Sequence, residues 1–143
     1  MSSPVSLPER RRIPVHRRIV PLAAVGVARL MARMSPARLR VTLEFIRRNV
    51  PPATAEQALS ARHAVTTVSL RCAGQGCLQR SIAVALLCRA RGAWPTWCTG
   101  VRTNPFAAHA WVEVDNEPIG ENLPAGHFQR LLIVPPFTAS DND

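Results

Sequence analysis

The spacing of apolar residues changes once along this chain, close to Gly92. Before that glycine the apolar residues recur with helical spacing, which is typical of helices that pack one face onto a core. After it the segments WPTWCTGV, HAWVEVD and RLLIVPPF are short, suited to strands and bounded by turn-forming residues. We therefore expect helices followed by a small antiparallel sheet, which is an α+β fold.

The first two helices are marked by their ends. An apolar stretch predicts a helix over residues 20–33. A second helix is expected to start at Ser35-Pro36, because serine caps a first turn well and proline suits the first helical position. Asn49 and the prolines that follow it mark the end of this second helix.

Two more helices are expected before the spacing changes. Thr54 is expected to cap the third, with Gln57 three positions later completing a capping box, and this helix then runs to about Leu70. Glycines break the chain after it. The fourth helix is predicted from Cys77 to about Arg91, where the next glycine stops it.

The sheet is expected to contain a hairpin. Residues 109–114 alternate with strand period, and the pair at 115–116 is a plausible turn although it contains no glycine. The segment 117–122 would then return beside the first strand. This pairing is expected to bring Glu121 close to His109.

Positive charge is concentrated in the first part of the chain, whose total net charge is +9. The first 50 residues hold 11 Arg and two Glu, whereas the remaining residues hold seven Arg and seven acids. A uniformly basic nucleic-acid binder would not show this division. The arginines also lack the interleaved aromatic residues that stack on bases, so we expect no nucleic-acid partner.

A chain of 143 residues suits one domain. We expect a flexible, basic N-terminus over residues 1–18 and a single domain over residues 19–143. Within that domain, residues 19–55 are expected to form a helical extension and residues 56–143 the core. The Pro- and Arg-rich composition of the first segment is the reason for separating it.

No secretory signal is evident in the sequence. The apolar stretch 19–32 is interrupted by Pro21 and Arg29, and it is shorter than the roughly 20 apolar residues that a membrane span needs. We therefore expect a cytoplasmic protein with no membrane span. Its four cysteines are expected to be free thiols, because disulfides belong to oxidising compartments.

Cys77 lies at the start of the fourth predicted helix, in the stretch AGQGCLQRSIAVALLCRARG. A helix N-terminus lowers the pKa of a thiol, and its free N–H groups can receive an oxyanion. Cys77 is therefore a candidate nucleophile, and the alternatives are a buried small hydrophobe or a metal ligand. The sequence contains no CxxC or HxxxH spacing, so we expect no metal ion and no cofactor.

His109 and Glu121 are the candidate partners of this thiol. A histidine side chain that projects from a sheet toward a helix N-terminus can form a thiolate–imidazolium pair with a cysteine located there. A carboxylate beside that imidazole can fix its ring and tautomer. The alternatives are a core histidine with one hydrogen bond and a solvated edge glutamate.

The blocks GCLQRSIAVALLCRARG and TGVRTNPFAAHAWVEVDNEPIGEN resemble the transglutaminase-like leader peptidases of lasso-peptide biosynthesis. The resemblance covers roughly residues 60–135 and rests on the CLxRS helix start, the GV…PFAAHAWVE block and the acid that follows. It implies a papain-like fold with Cys77 as nucleophile, His109 as base and Glu121 as orienting acid. Many members of the family have Asp at the third place, where this chain has Glu.

The same resemblance implies a reaction and a set of partners. The reaction is cleavage of the bond between leader and core in a ribosomally made precursor, whose core is then closed by a separate ATP-dependent cyclase. Some relatives carry a fused leader-recognition domain of winged-helix type. About 60 residues precede the resemblance here and they are predicted to be helical, so a separate recognition protein is expected to deliver the precursor. Arg80 and Ser81 also match the motif, and a salt bridge and a helix hydrogen bond are their simplest roles.

Two other functions remain open from the sequence. The same three residues could pass the acyl group to an amine instead of water, which would make the protein an acyl transferase. A non-catalytic adaptor in the same maturation complex could instead bind a partner through the basic N-terminal helices. The intact set of Cys77, His109 and Glu121 argues against the adaptor.

Overall fold

Helices come first and a sheet second, as the change of spacing predicts. The computed structural model describes residues 18–69, 76–121 and 126–137, and in these ranges it has four helices and one four-stranded antiparallel sheet. The elements are α1 (Ile19–Met31), α2 (Pro36–Ile46), α3 (Ala55–Val68), α4 (Cys77–Ala90), β1 (Thr96–Arg102), β2 (Ala107–Val114), β3 (Glu117–Pro118) and β4 (Gln129–Val134). The predicted α+β fold is confirmed. The flexible segment that we predicted lies, apart from its last residue, outside the described residues.

The predicted helix caps are present. The hydroxyl of Ser35 accepts a hydrogen bond from the backbone N–H of Arg38, and Pro36 is the first residue of α2. At the start of α3, Thr54 and Gln57 form the reciprocal capping box, with hydrogen bonds of 3.1 and 2.9 Å. Short-range signals thus set the start of both helices.

Helix α4 is the central element of the fold. It packs against α1 and α3 on one side and against β2 on the other, and it is buried nearly all round. Ala83 and Ala85 are fully buried, and their small side chains let the neighbouring elements approach closely. The N-terminus of α4, which begins at Cys77, is therefore held in a fixed position beside the sheet.

The strands follow the order β3-β2-β1-β4. Trp97, Val112 and Val134 belong to the core shared with the helices, and the alternate residues of β2 form a second face of the sheet. The indole Nε1 of Trp97 donates a 3.0 Å hydrogen bond to the hydroxyl of Ser81 on α4. This buried hydrogen bond ties the first strand to the helix that carries Cys77.

The hairpin between β2 and β3 has the predicted turn but a shorter return strand. Asp115 and Asn116 both have positive φ, 53° and 65°, as two-residue hairpin turns of type I′ require. The return strand is only Glu117–Pro118, rather than residues 117–122, because Gly120 has a φ of 70° and turns the chain out of the strand. The register, in which Glu113 pairs with Pro118, brings Glu121 level with Ala110, and the turn of the chain at Gly120 places its carboxylate beside His109.

Helices α1 and α2 bury one face and expose apolar side chains on the other. Leu39 and Leu43 of α2 lie in the core. The outward-facing residues of α1 define what we call the α1 outer face: Ile19, Val20, Leu22, Val27 and Leu30. No helix in the described ranges is long and apolar enough to cross a membrane.

Candidate active site

Cys77 is the first residue of α4 and is partly exposed. Gly76 precedes it as the N-cap residue and has no side chain that could cap the helix. As at any helix start, the first backbone N–H groups have no intrahelical carbonyl partner, which makes this a suitable place for a negative charge. The thiol lies at the positive end of the helix.

The thiol of Cys77 is hydrogen-bonded to the side chain of His109 and to the backbone of Ala110. The bond to His109 is the largest influence on the thiol and lowers its pKa, and it outweighs burial, which acts in the opposite direction. The same bond, followed by the interaction with Glu121, raises the pKa of His109 to about 9. Together these shifts favour a thiolate–imidazolium pair at neutral pH.

Glu121 lies on the other side of the imidazole ring. Its Oε2 is 3.2 Å from Nε2 of His109, which is an ion-pair distance, although the N–H bond is not aligned on the oxygen. Burial alone would raise the pKa of Glu121, but His109 and the guanidinium of Arg62 hold it below its usual range. The carboxylate is therefore ionised and stabilises a positive imidazole.

The structure thus brings together the three residues that the sequence predicted. Cys77 comes from α4 and His109 from β2, while Glu121 follows β3. The chain of contacts runs from thiol to imidazole to carboxylate, which is the arrangement of a cysteine nucleophile, a general base and an orienting acid.

Aromatic rings form a wall beside His109. The ring of Trp111 stacks on it with centroids 5.7 Å apart, and Phe128 lies 5.3 Å away. The indole of Trp111 lies close over Gly100, where any side chain would collide with it. A cavity of about 20 Å³, room for about one water molecule, opens among His109, these rings and Glu121.

The comparisons with known proteins add one finding. Residues 21–132 match the model of the transglutaminase-like superfamily. The chain belongs to the transglutaminase-like superfamily. No curated protein and no solved structure matches the chain.

This transglutaminase-like domain includes α1 from its third residue and ends within β4. The superfamily generally comprises cysteine peptidases and acyl transferases, so the domain indicates chemistry of one of these two kinds. Both reactions begin with attack of a cysteine sulfur on a carbonyl carbon. The geometry around Cys77 is suited to that first step.

Two other acids of the transglutaminase-like domain are close in sequence to His109 but do not orient it. Glu113 is buried and accepts hydrogen bonds from Trp111 Nε1 at 2.8 Å and from Arg130 at 2.7 and 3.2 Å. Asp115 is exposed in the hairpin turn. Glu113 instead ties the aromatic wall to β4.

Arg80 and Ser81, which match the motif, have distinct structural contacts. Arg80 lies one turn beyond Cys77 and its guanidinium is 3.7 Å from Oε1 of Glu121. The hydroxyl of Ser81 donates to the carbonyl of Leu78 at 2.8 Å and accepts from Trp97. The salt bridge and the helix hydrogen bond expected for these residues are both present.

The other described cysteines have no such activation. Cys88 and Cys98 are buried free thiols, and burial raises their pKa values to about 11 and about 12. Cys72 lies outside the described residues. Within the described ranges, no three His, Cys, Asp or Glu side chains are grouped so as to hold a metal ion.

Sequence reasoning missed Arg62 of α3. Its NH1 donates a 3.3 Å hydrogen bond to Oε1 of Glu121, from a position 59 residues earlier in the chain. No motif or spacing in the sequence marks this arginine. The glycine next to Glu121 was the available signal, because a glycine often marks a close approach by another group, and in the structure Arg62 does lie against Gly120.

Proposed function

We propose that this protein is a cysteine peptidase that removes the leader from a ribosomally made lasso-peptide precursor in the cytoplasm. The observation that carries the proposal is the contact chain of Cys77, His109 and Glu121 at the N-terminus of α4. The resemblance of the CLxRS and PFAAHAWVE blocks to leader peptidases supports the choice of substrate. In this proposal Cys77 is the nucleophile, His109 the acid–base group and Glu121 the orienting acid.

The first half of the reaction forms an acyl-enzyme. The thiolate of Cys77 attacks the carbonyl carbon of the bond joining leader to core, and the N–H groups at the start of α4 stabilise the oxyanion. When the C–N bond breaks, the imidazolium of His109 gives its proton to the departing amine of the core. Glu121 keeps that imidazolium charged and in place until the transfer.

Water completes the reaction. Neutral His109 takes a proton from a water molecule, whose oxygen attacks the thioester carbon. The C–S bond breaks, the leader leaves with a new carboxylate, and the thiolate–imidazolium pair is restored. One water is consumed for each bond cleaved, so the masses of the two products sum to the precursor plus one water.

The superfamily match also admits acyl transfer, and product mass separates the two reactions. The test uses the purified protein, a synthetic lasso precursor and a panel of free amines, with products followed by mass spectrometry. Hydrolysis gives an unmodified leader acid with every amine. A leader that carries the added amine would instead show that the domain is an acyl transferase.

We expect the pH dependence of cleavage to be set by two groups. The acid limb comes from protonation of the Cys77 thiolate, whose pKa lies below its ordinary value, and the alkaline limb comes from loss of the His109 proton near pH 9. Cleavage should therefore fall above about pH 9, whereas alkylation of Cys77 by iodoacetamide should not, because the thiolate persists there. Parallel measurement of both rates checks this difference. Cleavage that keeps rising well above pH 9 would contradict the assigned role of His109.

We also propose that a separate leader-recognition protein docks on the α1 outer face and the adjoining basic surface of α2. The residues of the α1 outer face are 48–67% exposed in the described ranges, and Val41 and Phe45 of α2 are each 65% exposed. Arg38 of α2 and Arg48, two residues beyond the end of that helix, are exposed as well. Such a surface suits a partner with apolar residues and acids around them. The ATP-dependent cyclase is a further candidate for the same maturation complex.

Addition of the recognition protein should raise the rate of precursor cleavage at least about tenfold, because a positioned substrate reaches the thiolate more often. Charge reversal at Arg38 or Arg48 should reduce this stimulation more than the basal rate, with a larger effect at low salt. Arg47 is unsuitable for this test because its guanidinium bonds the carbonyl of Pro135 at 2.7 Å. Arg91→Glu, at the far end of α4, serves as the control. Full activity of the lone chain without any response to the partner would contradict the docking proposal.

A further inference from the structure

Glu121 is held by different partners on its two oxygens. Oε2 faces Nε2 of His109 at 3.2 Å, whereas Oε1 faces Arg62 NH1 at 3.3 Å and Arg80 NH2 at 3.7 Å. The carboxylate side chain is only 11% exposed. A rotation of the carboxylate that favours one partner therefore disturbs the contact with another.

Of the two arginines, Arg62 makes the closer contact with Oε1. Its contact is a hydrogen bond, whereas Arg80 NH2 lies 3.7 Å from Oε1, which exceeds hydrogen-bond distance and is that of an ion pair. A bond that fixes Oε1 also fixes where Oε2 points, because the carboxylate is planar. Without Arg62, the carboxylate would be drawn toward Arg80 and away from His109.

The backbone next to Glu121 is shaped around this arginine. Gly120 has a φ of 70°, a left-handed conformation, and a Cβ at this position would overlap the Cδ and Nε atoms of Arg62. Arg62 therefore reaches Oε1 by passing directly over the glycine. A larger residue at position 120 would push the guanidinium off the carboxylate.

Apart from its contact with Glu121, the environment of Arg62 is unfavourable for a charged guanidinium. Burial, followed by the charge of Arg80, lowers the pKa of Arg62, and only Glu121 acts against them. A guanidinium in such a place needs the carboxylate to stay ionised and close by. The position of Arg62 on α3 is therefore coupled to the ionisation of Glu121.

We propose that Arg62 is a positioning residue that fixes the carboxylate of Glu121 so that it faces the imidazolium of His109. It touches neither the thiol nor the substrate in this scheme and acts only through Glu121. The proposal deepens the proposed function and rests on its assignment of Cys77, His109 and Glu121. Its readout, the titration of His109, does not require any peptide substrate.

The sign of one shift separates positioning from a simple charge effect. If Arg62 only contributes positive charge, its removal would raise the pKa of His109, because one repelling cation is lost. If Arg62 positions Glu121, its removal lowers that pKa, because the imidazolium loses its oriented carboxylate. The two roles therefore predict shifts in opposite directions.

The experiment titrates His109 by NMR of ¹⁵N-labelled histidine in the full chain and in Arg62→Met and Arg62→Lys, with His109→Gln used for assignment. We expect both variants to bind the imidazole proton about tenfold more weakly, a fall of about one pH unit from the value near 9. Lysine at position 62 should not restore the original pKa of His109, because an ammonium group lacks the planar fork of the guanidinium. A pKa that is unchanged or raised in Arg62→Met, or a lysine variant closer to the original protein, overturns the proposal.

Three further measurements keep the outcome interpretable. Arg62→Met should have no added effect in a Glu121→Gln background, and an additive effect would overturn the proposal. Arg91→Met is the matched control, because Arg91 also links α4 to α3, through a 3.4 Å bond to Ser60, but lies away from Glu121.

If an Arg62 variant fails to fold, Gly120→Ala displaces the arginine without removing it and should lower the His109 pKa in the same way. An unchanged titration in folded Gly120→Ala would again overturn the proposal.

The catalytic readout then separates this proposal from the proposed function. Arg62→Met should lower kcat for precursor cleavage with little change in KM, because the substrate does not contact Arg62. If His109 titrates as expected but no precursor is cleaved by the original protein, the leader-peptidase assignment fails and the positioning role stands. If the precursor is cleaved but Arg62→Met leaves the His109 pKa unchanged, the positioning role fails alone.

Discussion

Replacing Cys77 with alanine is expected to lower the rate of precursor cleavage by at least about a thousandfold, because the thiolate that forms the acyl-enzyme is lost. The thiol is partly exposed, and alanine is close to cysteine in size and suits a helix start, so the fold should persist. The rate is measured by mass spectrometry of the precursor and its products. Circular dichroism and thermal unfolding of the variant check that the helices and the cooperative core remain.

The matched controls for Cys77→Ala are Cys88→Ala and Cys98→Ala. Both thiols are buried, with pKa values raised to about 11 and about 12, so neither contributes a thiolate at neutral pH. Each control variant should lose some stability through lost packing but keep the cleavage rate of its folded fraction. Iodoacetamide should label Cys77 faster than either. A Cys77→Ala protein that still cleaves, or a faster reaction at another cysteine, would contradict the nucleophile assignment.

Much of the fold could be predicted because its signals are local. The Thr54–Gln57 capping box and the Ser35-Pro36 start each involve residues within three or four positions, and both appear as expected. The change of apolar spacing near Gly92 likewise separates the helices from the strands. Such signals act through the backbone of a few residues, so tertiary packing does not need to be known.

The contacts around the site were only partly predictable. The approach of Glu121 to His109 was predicted from a two-residue turn and a return strand, and the turn is readable from the sequence. The register brings Glu121 only level with Ala110, and the turn of the chain at Gly120 then places the carboxylate beside the imidazole. The shortened strand was not foreseen, because Gly120 leaves the strand to admit a side chain from α3. Spacing along one segment carries no information about such a distant approach.

The centre of the fold shows a similar limit. The sequence predicts an amphipathic α4, but α4 is buried on nearly every side because α1, α3 and β2 surround it. Even Gln79 and Arg80 of this helix are buried, each with a polar partner supplied by another part of the chain. Burial of polar residues depends on partners that come together only on folding.

The electrostatic setting of the site follows from these long-range contacts. Arg62, Arg80 and an imidazolium at His109 give three positive charges, against a carboxylate at Glu121 and a thiolate at Cys77. The surplus positive charge favours the thiolate over the neutral thiol. A neutral residue in place of His109 would remove both a charge and the hydrogen bond that matters most to the thiol.

Replacing His109 with glutamine is therefore expected to have an effect nearly as large as loss of the thiol. Glutamine keeps a hydrogen-bonding side chain but cannot carry a proton to the departing amine, so cleavage should fall by at least about a thousandfold. The pKa of Cys77 should rise, because its largest stabilising interaction is lost. Iodoacetamide labelling of Cys77 should consequently slow at neutral pH and recover as the pH is raised.

His63→Gln is the matched control for this variant. His63 is exposed on α3, and its backbone carbonyl rather than its ring accepts the hydrogen bonds of Thr66 and Thr67. This control should cleave and label as the original protein does. If His109→Gln labels at Cys77 as fast as the original protein at neutral pH, the imidazole does not activate the thiol. The lowered pKa of Cys77 would then have to come from the helix N-terminus and the nearby Arg80, and His109 would act only as the acid that protonates the departing amine.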